Sequence, residues 1–501
     1  MDTFYSIWRN QFIRRLIRNL VCQDIDVQVT DKHYDDREYK YLAMFSSKDK
    51  LEYNVSIRYK GTMANYAQSR YRDVISYLEL SLDDDDHFDF DLIDQGVHSL
   101  SVSVDTQTRA SGQLPDSLKY LYLANYFDYC KGNVVQHVLS NLPRNLKTLK
   151  MSRDYKIKSE CRIPDTLTAF DYQSSFESLK HLVLSNHDSR VLQKCVLEVY
   201  SMEGFSWLQA NRWIDSIVIF GKHRNQELVL SPSTVAPHVT SIRMHDNLKF
   251  GHETCIYHES VFPPMLQSLT CSYPTPVHKL SNLKILNLQY YPVKLEKNAL
   301  PPLLEQLSIL YDMPLDAGVL PPYLLDLSLK KFNQPLCAGS LPNSLKSLSL
   351  GQFNHQLLPS VLPAKLEELT MLSFNQRILC RDVLPGSLKS LMMSSFTGSF
   401  ETTCQPLDHL TKLNVFSLDP SLSTILVNVK KISIWIYNID DPANGTCLSN
   451  TSIQSLYLHC LRKSDLYANS LPPTAKHLTL SNVNIQSRQA IPNDCVNLTI
   501  K

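Results

Sequence analysis

The densest group of metal-ligating residue types is His252, Cys255 and His258, with Glu253 beside them. Imidazole and thiolate suit zinc, but a closed tetrahedral site needs a further donor at a recognised spacing, and none follows. With 16 His and 12 Cys in the chain, such proximity is expected by chance. The run Asp83-Asp84-Asp85-Asp86, followed by Asp89, Asp91 and Asp94, has the oxygen donors of a calcium loop. An EF-hand loop also requires a glycine at its sharp turn and a closing bidentate Glu, and neither is in place. That run reads as a solvated loop between strands. No nucleophile elbow, phosphate loop or dinucleotide fingerprint occurs. A non-enzymatic chain is expected, with no catalytic residue, cofactor or metal.

The elements that would have to position any site are specified more strongly. Leu341-Pro342-Asn343-Ser344-Leu345-Lys346-Ser347-Leu348-Ser349-Leu350-Gly351-Gln352-Phe353-Asn354 returns about every 21 residues. Leu-Pro pairs open copies at Leu300, Leu320, Leu341, Leu362 and Leu384. A second marker keeps step with them at Phe332-Asn333, Phe353-Asn354, Phe374-Asn375 and the decayed Phe396-Thr397. A fixed period of this length means a solenoid. Between the markers lies Leu-x-x-Leu-x-Leu, which extends from faint matches such as Ile75/Leu78/Leu80 to Cys495/Leu498/Ile500. The expected fold is a β-rich, leucine-rich-repeat-like right-handed solenoid with one long parallel sheet, about 20 coils of about 21 residues. Residues 71–501 form it, clearest at 300–400. Leu167/Phe170/Tyr172 and Leu179/Leu182/Leu184 lie only 12 residues apart, and an insertion within 185–215 holding Trp207 and Trp213 is expected there.

Leu345, Leu348 and Leu350 fit one short strand with alternate side chains inward. One coil cannot bury that face, whereas stacked coils make it a continuous core. The intervening side chains then form an outer strip: Thr270, Asn287, Ser308, Ser328, Ser349 and Thr370, continuing as Met392, Asn414 and Ser433. This uncharged strip is the expected partner-binding face and suits an extended peptide. Beside it Lys284, Glu305, Leu325, Lys346, Glu367 and Lys389 occupy equivalent places, with opposite signs where charges are adjacent. A groove for nucleic acid would instead stack one sign, so nucleic acid is excluded as a partner. The last motif residue, Ile500, offers an open strand edge for an end-to-end dimer.

The repeat resembles the FNIP-repeat family, a leucine-rich-repeat-like group named for a Phe-Asn-Ile-Pro element, to which Phe332-Asn333-Gln334-Pro335 comes closest. Residues 1–70 lack the repeat and form a separate region, either a helical cap or an F-box-like segment. Phe4, Ile7, Trp8, Phe12 and Leu16 have the spacing of an amphipathic helix. Phe4-Tyr5-Ser6-Ile7-Trp8-Arg9-Asn10 also looks like the F-box-like openings found in that family. The resemblance implies docking of these residues onto the linker of a cullin-type ubiquitin ligase, with the solenoid choosing substrates. The alternative is a scaffolding repeat protein whose N-terminus only caps the stack. With 50 basic and 49 acidic residues the net charge is +1, which calls for no anionic membrane. No signal-peptide core or long apolar run occurs. Scattered cysteines such as Cys271 and Cys495 fall at inward strand positions, as reduced core residues of a cytoplasmic protein would.

Overall fold

The computed structural model describes residues 24–29, 42–81, 87–104, 109–125, 133–153, 155–185, 190–220, 233–245, 261–271, 277–289, 293–439, 448–468 and 470–501, with a few single residues and pairs between them. The chain forms two compact units, Met1–Leu228 and Val229–Lys501.

Both units repeat one element, a short strand paired in parallel with its counterpart in the next coil. In the first unit the ladder runs through Asp26–Val29, Ser56–Gly61, Tyr77–Leu80, Ser99–Val104, Tyr120–Asn125, Thr148–Met151, Ala169–Ser175, Gln193–Val199 and Ser216–Ile219. In the second it begins at Ser241–Met244, Ser268–Cys271, Ile285–Leu288, Gln306–Ile309, Asp326–Leu329 and Ser347–Leu350. It continues through Glu368–Thr370, Ser390–Met393, Lys412–Val415, Lys431–Ile436, Ser455–Leu466 and His477–Ile485 to Asn497–Ile500. A β-rich, leucine-rich-repeat-like parallel solenoid is thus the architecture of each unit.

The period of two sets the core. Leu269, Leu286, Leu307, Leu327, Leu348, Leu369, Leu391 and Leu413 stack in register and are at most 2% exposed. Each contributes ~1.5–3 kcal/mol relative to an exposed side chain. Tyr59, Leu78, Leu100, Leu121, Leu149 and Phe170 form the corresponding row of the first unit.

The ladder begins before the repeat motif does. Asp26–Val29 and Ser56–Gly61 pair in parallel within residues 1–70; Ile57 and Tyr59 are buried, and Tyr59 stands where a leucine stands in the next coil. Short helices Ser47–Glu52 and Met63–Gln68, capped by Ser46 and Thr62, lie beside these strands. Residues 190–215 belong to a coil of the ladder, where an insertion within 185–215 was expected. Gln193–Val199 pairs with a strand on each side, the helix Met202–Ala210 follows it, and Trp213 is fully buried. The close spacing of the two motif matches arose because Ala169–Ser175 is a ladder strand, whereas Leu182–Leu184 pairs with Cys161–Ile163 in a separate small sheet.

At the Leu-Pro corner the proline carbonyl accepts the N–H three residues on, from Leu345 to Pro342 at 3.2 Å and from Leu366 to Pro363 at 3.1 Å. The same turn closes at Pro115, Pro143, Pro164, Pro263, Pro472 and Pro492, outside the clearest repeats. A hydroxyl within it reaches the preceding coil: Ser344 donates to Leu324 O at 2.7 Å, Ser387 to Leu366 O at 2.6 Å and Ser117 to Val97 O at 2.8 Å.

At the opposite corner Phe332, Phe353, Phe374 and Phe396 stack with centroids 6.4, 6.2 and 5.9 Å apart, within the offset-stacking range. The asparagines form a parallel ladder. Asn333 Oδ1 accepts from Asn354 N at 3.0 Å, Asn354 Oδ1 from Asn375 N at 2.9 Å and Asn375 Oδ1 from Thr397 N at 3.0 Å. Each amide therefore serves the turn of the next coil. The coils approach so closely here that a Cβ on Gly351 would lie 2.0 Å from Lys330 O.

Candidate binding face

The outward positions of the second ladder form aligned rows. Register places Arg243, Thr270, Asn287, Ser308, Ser328, Ser349, Thr370, Met392 and Asn414 in one of them. The six residues from Thr270 to Thr370 are half-buried, while Arg243 and Met392 are exposed. Asn287 Nδ2 donates to Thr270 Oγ1 at 3.4 Å. A shallow hollow over this stretch is lined by Arg243, Thr270, Asn287, Gln289, Ser308 and Lys330. It offers hydroxyl and amide groups that both donate and accept, between two cations.

The neighbouring row follows the expected alternation. Lys284 pairs with Glu305 at 2.9 Å and Lys389 with Glu367 at 2.7 Å. Each backbone N–H in this row donates to the carbonyl one coil earlier, Glu367 to Lys346 and Lys389 to Glu367, both at 2.8 Å. The hydrogen bond from Lys389 holds the Glu367 carboxyl below its ordinary value, and the charge of Lys346 adds to the effect. Asp326 moves the other way, because burial and then the charge of Glu368 disfavour its anion.

The row does not continue to Ser433. Asn414 pairs with Trp435, and Ser433 with Lys412, a slip of two residues against the motif spacing. A two-residue slip keeps every side chain on its own face, so Leu413 still meets an inward partner, Ile434. The row therefore passes through Trp435, His459 and Ser481. Trp435 is 42% exposed. Its ring lies 4.4 Å from that of His459 and 6.0 Å from that of Tyr457, which in turn stacks on His459 at 6.5 Å. The motif ends at Ile434 and so hid this cluster. The signal available was that alternation continues unbroken through Ile432-Ser433-Ile434-Trp435-Ile436.

The first ladder presents a different surface. Arg58 pairs with Asp26 at 2.6 Å and Lys60 with Glu79 at 2.6 Å, while Arg58 covers the Tyr77 ring at 4.4 Å and Lys150 the Tyr122 ring at 5.0 Å. These charged groups pair with one another or with a ring.

Of the N-terminal residues with helical spacing, Phe4, Ile7, Trp8 and Phe12 lie outside the described residues, and Leu16 is helical and 44% exposed. His252, Glu253, Cys255, His258 and Asp83–Asp86 also lie outside them. Asp89 accepts from Asp91 N and Asp91 from Gln113 N, while Asp94 pairs with Arg72 at 3.1 Å, so these carboxylates hold loops together. Cys271 is buried as expected. Cys495 is only half-buried, because it belongs to the exposed last coil of the described ladder. Burial pushes the Cys161 thiol up to about 12, which suppresses its thiolate. No helix among the described residues is long and apolar enough to cross a membrane.

The family model described as FNIP Repeat matches residues 311–353 and 353–396, the stretch in which the phenylalanines and asparagines stack. The chain carries FNIP repeats there. No curated protein sequence matches it. Among solved structures it is similar to the circular LRR protein CroV588, at 16% identity and TM-score 0.44 over 95% of this chain and 70% of that one. The TLR13–ssRNA13 complex aligns at 14% identity and TM-score 0.49, over 86% of this chain and 77% of that one. The mouse RP105/MD-1 complex aligns at 13% identity and TM-score 0.42, over 84% and 89%.

Proposed function

We propose that the protein is a non-enzymatic protein-binding scaffold that holds an extended segment of its partner on the outward row of the second ladder. The observation that carries this reading is the register itself. Thr270, Asn287, Ser308, Ser328, Ser349 and Thr370 repeat at the strand spacing of ~4.8 Å and present hydroxyls and an amide at half-buried positions. Such a row can hydrogen-bond a peptide backbone along several coils. The test replaces Ser308 and Ser349 by Arg and compares proteins co-purifying with wild type and variant. Partners lost from the variant, with its unfolding midpoint unchanged, are the expected result. Partners retained in full would refute the assignment of this face.

The more concrete version is a substrate adaptor of a cullin-type ubiquitin ligase, docking through Phe4, Ile7, Trp8, Phe12 and Leu16 and working in the cytoplasm. It rests on the F-box-like opening and the FNIP repeats. Truncation near residue 50 is an unsuitable test, because it removes Asp26–Val29 from the ladder and uncovers Ser56–Gly61. Substituting Ile7 and Trp8 by Asp changes no residue of the ladder strands. Loss of a cullin-ligase linker from the purified complex supports the adaptor; absence of that linker from wild type as well favours the alternative, a scaffold whose N-terminus only caps the stack.

A further inference from the structure

We propose that Trp435, Tyr457 and His459 form an aromatic seat for a short acidic peptide segment carrying a ring or proline side chain. The inference rests on the scaffold reading and names the chemistry of the partner.

Three observations converge. The first is exposure: Trp435 stands 42% exposed on the sheet face with His459 and Tyr457 packed against it, so a large flat apolar surface is held rigid in the open. Exposed tryptophans with ordered neighbours are typical anchors of protein interfaces. His459 is fixed in turn by Ser481, 3.0 Å from its Nδ1.

The second is charge. Lys412 and Lys431 lie on the same strands, and Lys501 Nζ reaches to 6.0 Å from the centroid of the Tyr457 ring. None of the three forms an ion pair among the described residues. Across residues 412–415, 431–436, 455–460, 477–481 and 497–500 the strands hold no carboxylate at all. The row from Lys284 to Lys389 sets opposite charges side by side, whereas these three lysines have no such neighbour on the adjoining strands, so the local excess of positive charge complements an anionic partner.

The third is size. From Asn414 to Ser481 the row crosses three strand intervals, about 14 Å at ~4.8 Å each, the length of about four extended residues. A single-stranded nucleic acid would also stack on rings, but its regular phosphates need a longer basic track. Beyond Lys412 the adjoining row carries Glu367 between Lys346 and Lys389, which interrupts any such track. A short acidic peptide satisfies the geometry and a polyanion does not.

The test pans a random heptapeptide display library against the full-length protein, then measures one enriched peptide, fluorescein-labelled, by anisotropy. Enriched sequences should combine Asp or Glu with an aromatic residue or proline. Trp435→Ala and Lys431→Glu should each weaken binding at least about tenfold, and raising salt should weaken it further. Circular dichroism melting of both variants checks that these surface changes leave the fold intact. Enrichment without acidic bias, or unchanged affinity in Trp435→Ala, would overturn the proposal. So would displacement of the peptide by oligouridylate at lower concentration than by unlabelled peptide. Peptides that need Ser349 but not Trp435 would leave the scaffold standing and remove this seat alone.

Discussion

Asn354 shows how much a single side chain does in this protein. Its Oδ1 accepts the Asn375 backbone N–H and the Gln376 side-chain amide, while its own N–H is accepted by Asn333. Asn354→Ala should cost about 1 kcal/mol in urea unfolding, the ordinary net worth of such a hydrogen bond at a solvated site. Phe353, unexposed between Phe332 and Phe374, should cost about 3–5 kcal/mol when cut to Ala, by lost transfer energy plus the cavity left behind. Gly351→Ala should also destabilise, since its Cβ meets a backbone carbonyl that cannot swing aside. Alkylation of the native protein followed by mass spectrometry should label exposed Cys337 well before buried Cys161 and Cys195, whose thiolates burial disfavours. Fast labelling of the buried pair would mean that the first unit opens locally.

Strands make testable what no single residue can. Glu367 lies between Lys346 and Lys389, so Glu367→Lys sets three cations on successive strands and should lower the unfolding midpoint at low salt, with salt restoring part of it. The pH dependence follows from the sign of the shift. The folded carboxyl lies below its ordinary value of 4.5, so its stabilisation is complete above that value and is lost as pH falls through the lower folded one. The midpoints of wild type and Glu367→Gln should therefore differ at neutral pH and converge in acid. Asp326 behaves oppositely. Its raised value means the fold disfavours the anion, so Asp326→Asn should raise the midpoint at neutral pH and lose that advantage on acidification. At this scale the sequence was legible wherever inward leucines, prolines and Phe-Asn pairs coincide, because each has one geometric job. It was not legible where a strand outlasts the motif, as at Trp435, or where a motif match falls outside the main ladder, as at Leu182–Leu184. Pattern alone records alternation without register. The strands at Asp26–Val29 and Ser56–Gly61 escaped because valine, isoleucine and tyrosine fill their inward places.

For the molecule as a whole the exposed last strand matters most. Asn497–Ile500 is open at all its residues, with Val496, Leu498 and Ile500 exposed by 72, 43 and 56%. Leu498 and Ile500 align with the inward residues Leu478 and Leu480, so core-type side chains stand uncovered there. A further coil or a strand of another chain would cover them by pairing along this edge. Light scattering across a concentration series tells the two apart: a dimer that Leu498→Lys abolishes points to a second copy, and a monomer at every concentration points away from one.

The Phe-Asn corners also bear on heredity. Asn333 offers the turn of the next coil the same acceptor that Asn354 offers Asn375, and Phe332 offers the same ring face as Phe353. Deleting or duplicating one whole coil would recreate the junction it disturbs. Copy number can then drift by unequal recombination while each product still folds. Every such event lengthens or shortens the hydroxyl row by one step of ~4.8 Å, so on the proposed function the length of peptide accommodated would be a trait that selection adjusts in discrete increments.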